Sequence, residues 1–361
     1  MSGLAWTDRV AAPLDGFRRA ALGVTFRNGA VRALLATRDR RVAVIIGAHA
    51  CVALGLTALF PVPLLVLLPL ALGVPHVVAD LRYLVLGRIA DVRGRALALS
   101  GCGLLLCVNA VALFGVRFDV ARVEVSLGVL GTLVAALMGV NARREPTSVA
   151  VRVWTPVVFV VLFALARVAL IAPTRTLIVA LHLHNLVALA LWLWLFRGRI
   201  RAVLPSLLLV FASAGLLAAG LLIPLTLRVG AWRGFGTSLL AAADWLAPGL
   251  PDSLAVGLAS SWIFLQSVHY LVWLVLVPTD HGPGSGATSF RQSFRALRRD
   301  LGASGLMLAL LAWLLVLALG ARSPLATRNA YLSLASFHLW LEFGALAYFA
   351  LRGRGAARAS S

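Results

Sequence analysis

Long apolar runs alternate along the chain with short stretches rich in arginine. A helix needs about 20 consecutive apolar residues to cross the hydrocarbon core of a bilayer. Ten segments reach that length, at 42–60, 62–86, 96–116, 123–142, 149–171, 176–196, 203–227, 254–278, 302–320 and 329–351. The pattern predicts an all-α polytopic bundle of about ten transmembrane helices. The tightest connection is Pro61-Val62-Pro63, where two prolines after Phe60 suit a sharp helix stop and restart. The chain then divides into a basic N-terminal segment (1–41), a transmembrane domain (42–351) and a short tail (352–361).

Composition narrows the class further. The 361 residues are 61% hydrophobic and 13% charged, against about 45–50% and 25% in soluble domains. A soluble enzyme, a disordered chain and a small disulfide scaffold are excluded. The net charge is +20, and every one of the 33 basic residues is arginine. A basic balance can signal nucleic acid, so position decides. With the N-terminus inside, 23 arginines fall on cytoplasmic pieces, 7 on outer loops, and Arg82, Arg152 and Arg167 inside spans. Positively charged loops stay on the cytoplasmic side, so the split places both termini there and accounts for the charge without nucleic acid. The three cysteines, Cys51, Cys102 and Cys107, lie in apolar runs and read as small buried side chains rather than as disulfides or thiolate ligands.

Three stretches outside the spans carry their own expectations. Residues 1–41 hold eight arginines and no signal-peptide core. They suit either a basic amphipathic surface helix near Leu14–Ala36 or a loosely ordered tail. The outer loop 228–253 contains a moderately apolar stretch, 235–247, that is too short to cross and reads as an interfacial or re-entrant helix. The inner loop 279–301 reads as a Gly/Ser-rich turn followed by a basic surface helix.

Six of the seven histidines lie inside spans: His49, His76, His182, His184, His269 and His338. Ionisable groups are expensive in a bilayer and normally face the bundle interior at a functional site. At 1.5 Å rise per residue, His49, His76, His184, His269 and His338 all fall within roughly 5–6 Å of mid-depth, and histidines at one depth on separate helices can converge. His182 and His184 lie about 200° apart around their helix, so one centre takes only His184, and His182 is left to bond a neighbouring helix. Asp80 lies one turn beyond His76, and Glu342 one turn beyond His338. A carboxylate at that spacing can orient an imidazole or bind metal itself. For Asp80 the rival is a helix-face ion pair with Arg82. Pro75 frees a backbone carbonyl beside His76. Gln266 shares the face of His269 and can bond it, whereas Tyr270 points elsewhere.

Three chemistries suit such a cluster. Neutral imidazoles can hold a non-haem iron with open positions for oxygen. Two or four can ligate haem. A chain of His and carboxylates along the membrane normal can carry protons or ions. The common depth favours a compact metal site over a chain, with His76, His184, His269 and His338 as ligands and His49 in reserve.

Gly73-Val74-Pro75-His76-x-x-x-Asp80 resembles the Pro-His-Gly-x-x-Asp signature of the bacterial Brp/Blh membrane proteins. Val77 stands in place of the family's Gly, the acid sits one position later, and no His-x-x-x-His helix is found. The resemblance implies a multi-pass protein of a bacterial inner membrane. It also implies an iron held by four histidines, and oxidative cleavage by dioxygen of β-carotene, or a similar lipophilic molecule, to retinal. His76 carries over directly, and the resemblance implies that His49, on the preceding span, corresponds to the family's ligand on its first helix. The rival expectation is a non-enzymatic protein, such as a transporter or a haem- or quinone-binding protein, with a polar histidine core.

Overall fold

A computed structural model of the chain describes residues 2–25, 27–89, 91–142, 149–197, 200–281 and 289–352. The Gly/Ser-rich turn, the tail beyond Arg352, and Arg143, Arg144 and Arg199 of the arginine count lie outside the described residues. Among the described residues the architecture is helical, apart from one hairpin of two-residue strands.

The helices are α1 (Ser2–Thr25), α2 (Gly29–Leu34), α3 (Arg38–Leu59), α4 (Pro61–Asp80), α5 (Val92–Leu113), α6 (Val120–Asn141), α7 (Val149–Ile171), α8 (Pro173–Leu191), α9 (Leu204–Ala218), α10 (Ile223–Val229), α11 (Leu239–Leu246), α12 (Asp252–Leu271), α13 (Val277–His281), α14 (Phe290–Arg322), α15 (Pro324–Ala335) and α16 (Phe337–Arg352). All ten expected segments are helical. Eight spans are long and apolar enough to cross a membrane outright. The segment 203–227 is a bent pair, α9 and α10, that turn by 72° on one another. Gly220, at φ +74, makes that turn, a conformation that costs glycine nothing. In α7 the apolar helix runs over Thr155–Ile171.

The helix ends follow from local chemistry. Thr37 caps α3 by accepting from the Arg40 amide, and Pro61 occupies the first turn of α4, where its missing N–H is no loss. Pro69 and Pro75 lie inside α4 and leave the carbonyls four residues earlier without their helical donors. Those carbonyls are met from outside: Arg328 Nε donates to Leu65 O at 3.2 Å and Trp313 Nε1 to Ala71 O at 2.8 Å. The sequence pattern set Arg328 in an outer loop, but it lies on α15 and is 3% exposed. The freed carbonyl draws it inward, and its guanidinium also stacks over Trp245 at 4.9 Å.

The outer stretch 235–247 forms the end of a hairpin, Arg233–Gly234 against Thr237–Ser238, and then α11, which packs on α12. The basic inner stretch is helical from Phe290, with Ser289 and Gln292 forming a reciprocal capping box. Gly302 at φ +72 breaks it from the span that follows. The N-terminal segment is helical, and α1 packs against α14 through Asp15, which accepts from the Phe290 amide at 2.7 Å. Arg82 pairs with Asp300 at 2.8 Å and not with Asp80. Cys51 and Cys107 are exposed on the outside of the bundle and Cys102 is half-buried, so the expectation of buried cysteines fails. Their small apolar side chains sit on surfaces that a bilayer would cover.

Within the bundle α12 is central. In its span 83% of the most apolar stretch is buried, against none in α14 at the periphery. It packs on α3, α4, α8, α9 and α11, while α16 packs on α4, α5, α6 and α8. At one end of the bundle, Asp280 ties the helices together. It accepts from Trp192 Nε1 at 2.9 Å and pairs with Arg197 and Arg38 at 3.2 Å each. Arg197 also pairs with Asp39 at 2.6 Å.

Candidate metal centre

Four helices each send one histidine to a single point in the core: His76 from α4, His184 from α8, His269 from α12 and His338 from α16. Their exposures are 2%, 5%, 1% and 7%. Ring centroids of His76 lie 5.2 Å from His269 and 4.8 Å from His338. Those of His184 lie 4.7 Å from His269 and 5.4 Å from His338. One ring nitrogen each of His76, His269 and His338 falls within 4.8 Å of the other two. Nitrogens bound at about 2.1 Å to one tetrahedral ion would lie about 3.4 Å apart, so small side-chain adjustments close this trio, whereas His184 does not meet the same limit.

Local structure prepares the rings. A break at Ser336 separates α15 from α16, and the amide of Leu339 bonds the carbonyl of Ser336 in place of that of Ala335. Ala335 O is thereby free to accept from Nδ1 of His338. His184 Nδ1 donates to Leu181 O at 2.8 Å. Both rings are held as neutral tautomers that present Nε2, the form in which imidazole binds a metal. No ring nitrogen of His76 or of His269 makes a well-formed hydrogen bond among the described residues, although both rings are buried and Glu342 Oε1 lies 3.5 Å from His269 Nε2. Buried polar atoms almost always find partners. Orphaned imidazoles beside two oriented ones are a donor set that suits a divalent transition metal such as iron. Three of the four helices continue into π-helical turns C-terminal to their histidines, at Leu81–Leu86, Trp192–Arg197 and Val272–Leu276. Such wider turns recur at functional sites.

The surrounding residues differ from the sequence expectation. Glu342 was expected to orient His338, its neighbour one turn away. Its Oε1 instead lies 3.5 Å from Nε2 of His269 and accepts from Trp273 Nε1 at 2.7 Å. The π-helical turn after α12 carries that tryptophan across to α16. Asp80, fully buried, makes no hydrogen bond to His76, and neither of its oxygens has a partner. It lies close enough to Glu342 for the two carboxyl groups to interact. Gln266 does not bond His269, because its amide donates to Tyr270 OH at 3.1 Å. Tyr270, expected to point away, packs its ring on His76 at 4.8 Å.

His49 stays apart from the cluster. It is half-buried on α3 and makes none of these ring contacts, and its Nε2 is unpartnered. His182 bonds the neighbouring helix as expected, with Nε2 3.0 Å from Leu246 O on α11.

Tyr270 and Trp273 are the site residues that sequence reasoning missed. No sequence signal marked them, because the near-complete burial of α12, which turns every face of that helix inward, is set by tertiary packing. Comparisons of this chain with family models, with curated proteins and with solved structures give no match.

Proposed function

We propose that this multi-pass membrane protein is a histidine-ligated iron oxygenase acting on a lipophilic substrate, and that oxidative cleavage of a carotenoid to retinal is the reaction to test first. The observation that carries the reading is the meeting of four buried imidazoles from four separate helices. A single buried histidine is commonly a packing residue, but four whose rings meet in five of their six pairs, two of them without a well-formed hydrogen bond, suit a shared ion. The tight packing of the rings on one another and on Tyr270 favours a bare ion over a macrocycle.

His76, His184, His269 and His338 would hold the ion, which when bound supplies activation of dioxygen. Glu342 sets the position of His269, with Trp273 anchoring the carboxylate. The Tyr270 ring packs against His76. The apolar surroundings exclude water and suit reactants that concentrate in hydrocarbon, namely dioxygen and an apolar lipid.

The test is expression in a β-carotene-accumulating bacterium of a bacterial inner-membrane type, together with metal analysis of the purified protein. The expected result is bound iron, loss of orange colour and formation of retinal, with His76→Ala abolishing all three. Unchanged carotenoid with bound iron would remove the carotenoid but keep the metal site. No bound metal in a folded protein, and indifference to His76→Ala, would leave a transporter or a structural polar core as the better account.

A further inference from the structure

Beside the histidine cluster, α5, α6 and α16 enclose a cavity of about 340 Å³. That volume falls in the range of small-molecule sites, which runs from about 300 to 1,000 Å³. Among the described residues no charged one lines it, and its few polar side chains are Ser100, Cys102, Trp340 and Tyr348. Its rim includes Leu97, Leu104 and Leu130, which are 49%, 51% and 57% exposed. All three lie on α5 and α6, within apolar spans, so the opening faces the surface that a bilayer would cover. Its inner wall is α16, where Trp340 and Leu341 line the cavity and flank the positions of His338 and Glu342.

The wall is held in place. The Trp340 ring lies so close on Gly128 of α6 that a Cβ there would overlap it. Its Nε1 donates to Glu124 Oε1 at 3.4 Å, and Glu124 in turn accepts from Asn109 of α5 at 3.3 Å. The rim is open by contrast, because a Cβ added at Gly101 or Gly131 would meet nothing within 4 Å.

We propose that this cavity is a binding pocket for a neutral, headgroup-free hydrocarbon lipid, which enters sideways from the bilayer between α5 and α6 and lies along α16. The absence of any basic lining residue argues against a phospholipid, whose phosphate would find no partner there. Delivery of that lipid to the histidine cluster rests on the function proposed above, whereas its binding does not.

The test uses the full chain in phosphatidylcholine vesicles with a small apolar aryl-diazirine photolabel, with squalene as competitor. The expected result is saturable labelling of the α5 segment around Gly101–Leu105 and the α6 segment around Leu127–Gly131, removed by excess squalene. Gly131→Leu and, independently, Gly101→Leu should fill the opening and abolish the saturable component, with helicity and metal content unchanged. His76→Ala should retain it, because no histidine lines the cavity. Labelling that squalene does not displace, or that survives both leucine variants, would overturn the pocket whatever the metal content. Saturable labelling from a phosphatidylcholine carrying the diazirine on its acyl chain would overturn the choice of a headgroup-free ligand. Loss of iron with labelling intact would count against the metal centre alone.

Discussion

Glu342→Gln separates a metal centre from a merely polar core. The side chain is fully buried, its Oε1 takes the Trp273 N–H at 2.7 Å and lies 3.5 Å from His269 Nε2, and its Oε2 has no partner. Glutamine has the same shape and keeps an oxygen for Trp273, so the substitution removes charge with little repacking. Alanine is a poorer probe, since it also strands the indole N–H at a cost of about 1–3 kcal/mol. If the carboxylate supports a ligand to a bound cation, its loss weakens metal affinity about 10–100-fold, equivalent to about 1.4–2.7 kcal/mol. If no cation is held, a carboxylate buried without a counter-charge is itself a cost, and the amide is neutral or stabilising. The two cases therefore differ in sign. The assay is anaerobic thermal unfolding in detergent across an Fe²⁺ titration, with metal content measured in parallel. Metal-linked stabilisation follows RT ln(1 + [L]/Kd), so at saturating metal the variant should lose the same 1.4–2.7 kcal/mol, roughly, of its iron-dependent gain. Equal stabilisation by Fe²⁺ in both proteins, or tighter binding by the variant, would refute the assignment of Glu342 to the centre.

Three further outcomes are expected. Asp280→Ala removes an acceptor from Trp192 Nε1 and a counter-charge from Arg197 and Arg38, while Asp39 still pairs with Arg197; a loss of about 1–3 kcal/mol, the cost of leaving buried donors short of a partner, should appear in denaturant or thermal unfolding, and a shift near zero would show that the network is not stabilising. Gly139→Ala drives a methyl into the Tyr348 backbone, which cannot rotate away; overpacking should cost about 1–3 kcal/mol, measured by unfolding, and an unaltered Tm would contradict this close approach of α6 and α16. Reporter fusions after Thr37 and after Arg352 should both report the cytoplasm, as the arginine split expects; an outer location for either overturns the topology.

Much of the fold was legible in one dimension. Long apolar runs determine that the chain is a helical bundle, because an unbroken apolar run of about 20 residues fits a helix, which satisfies every backbone group within its own segment in hydrocarbon. Pro61, the Ser289–Gln292 box and the Gly/Pro positions set helix ends by local chemistry. Rise per residue set the depth of each histidine, and so the prospect of a shared site. Rotation of each helix about its axis, and the identity of the helix opposite, were not legible. These depend on how all the surfaces pack together, and α-helical spacing says nothing of them. Hence Glu342 lies beside His269 rather than its own neighbour His338, Gln266 serves Tyr270 rather than His269, and Tyr270 meets His76. His49 has the right depth but remains on α3 outside the ring contacts, whereas His184 enters them. Arg328 is drawn into the bundle by a carbonyl that Pro69 frees on another helix. The apolar pattern determined the bundle and the depth of its polar groups, and tertiary packing alone decided which of them touch.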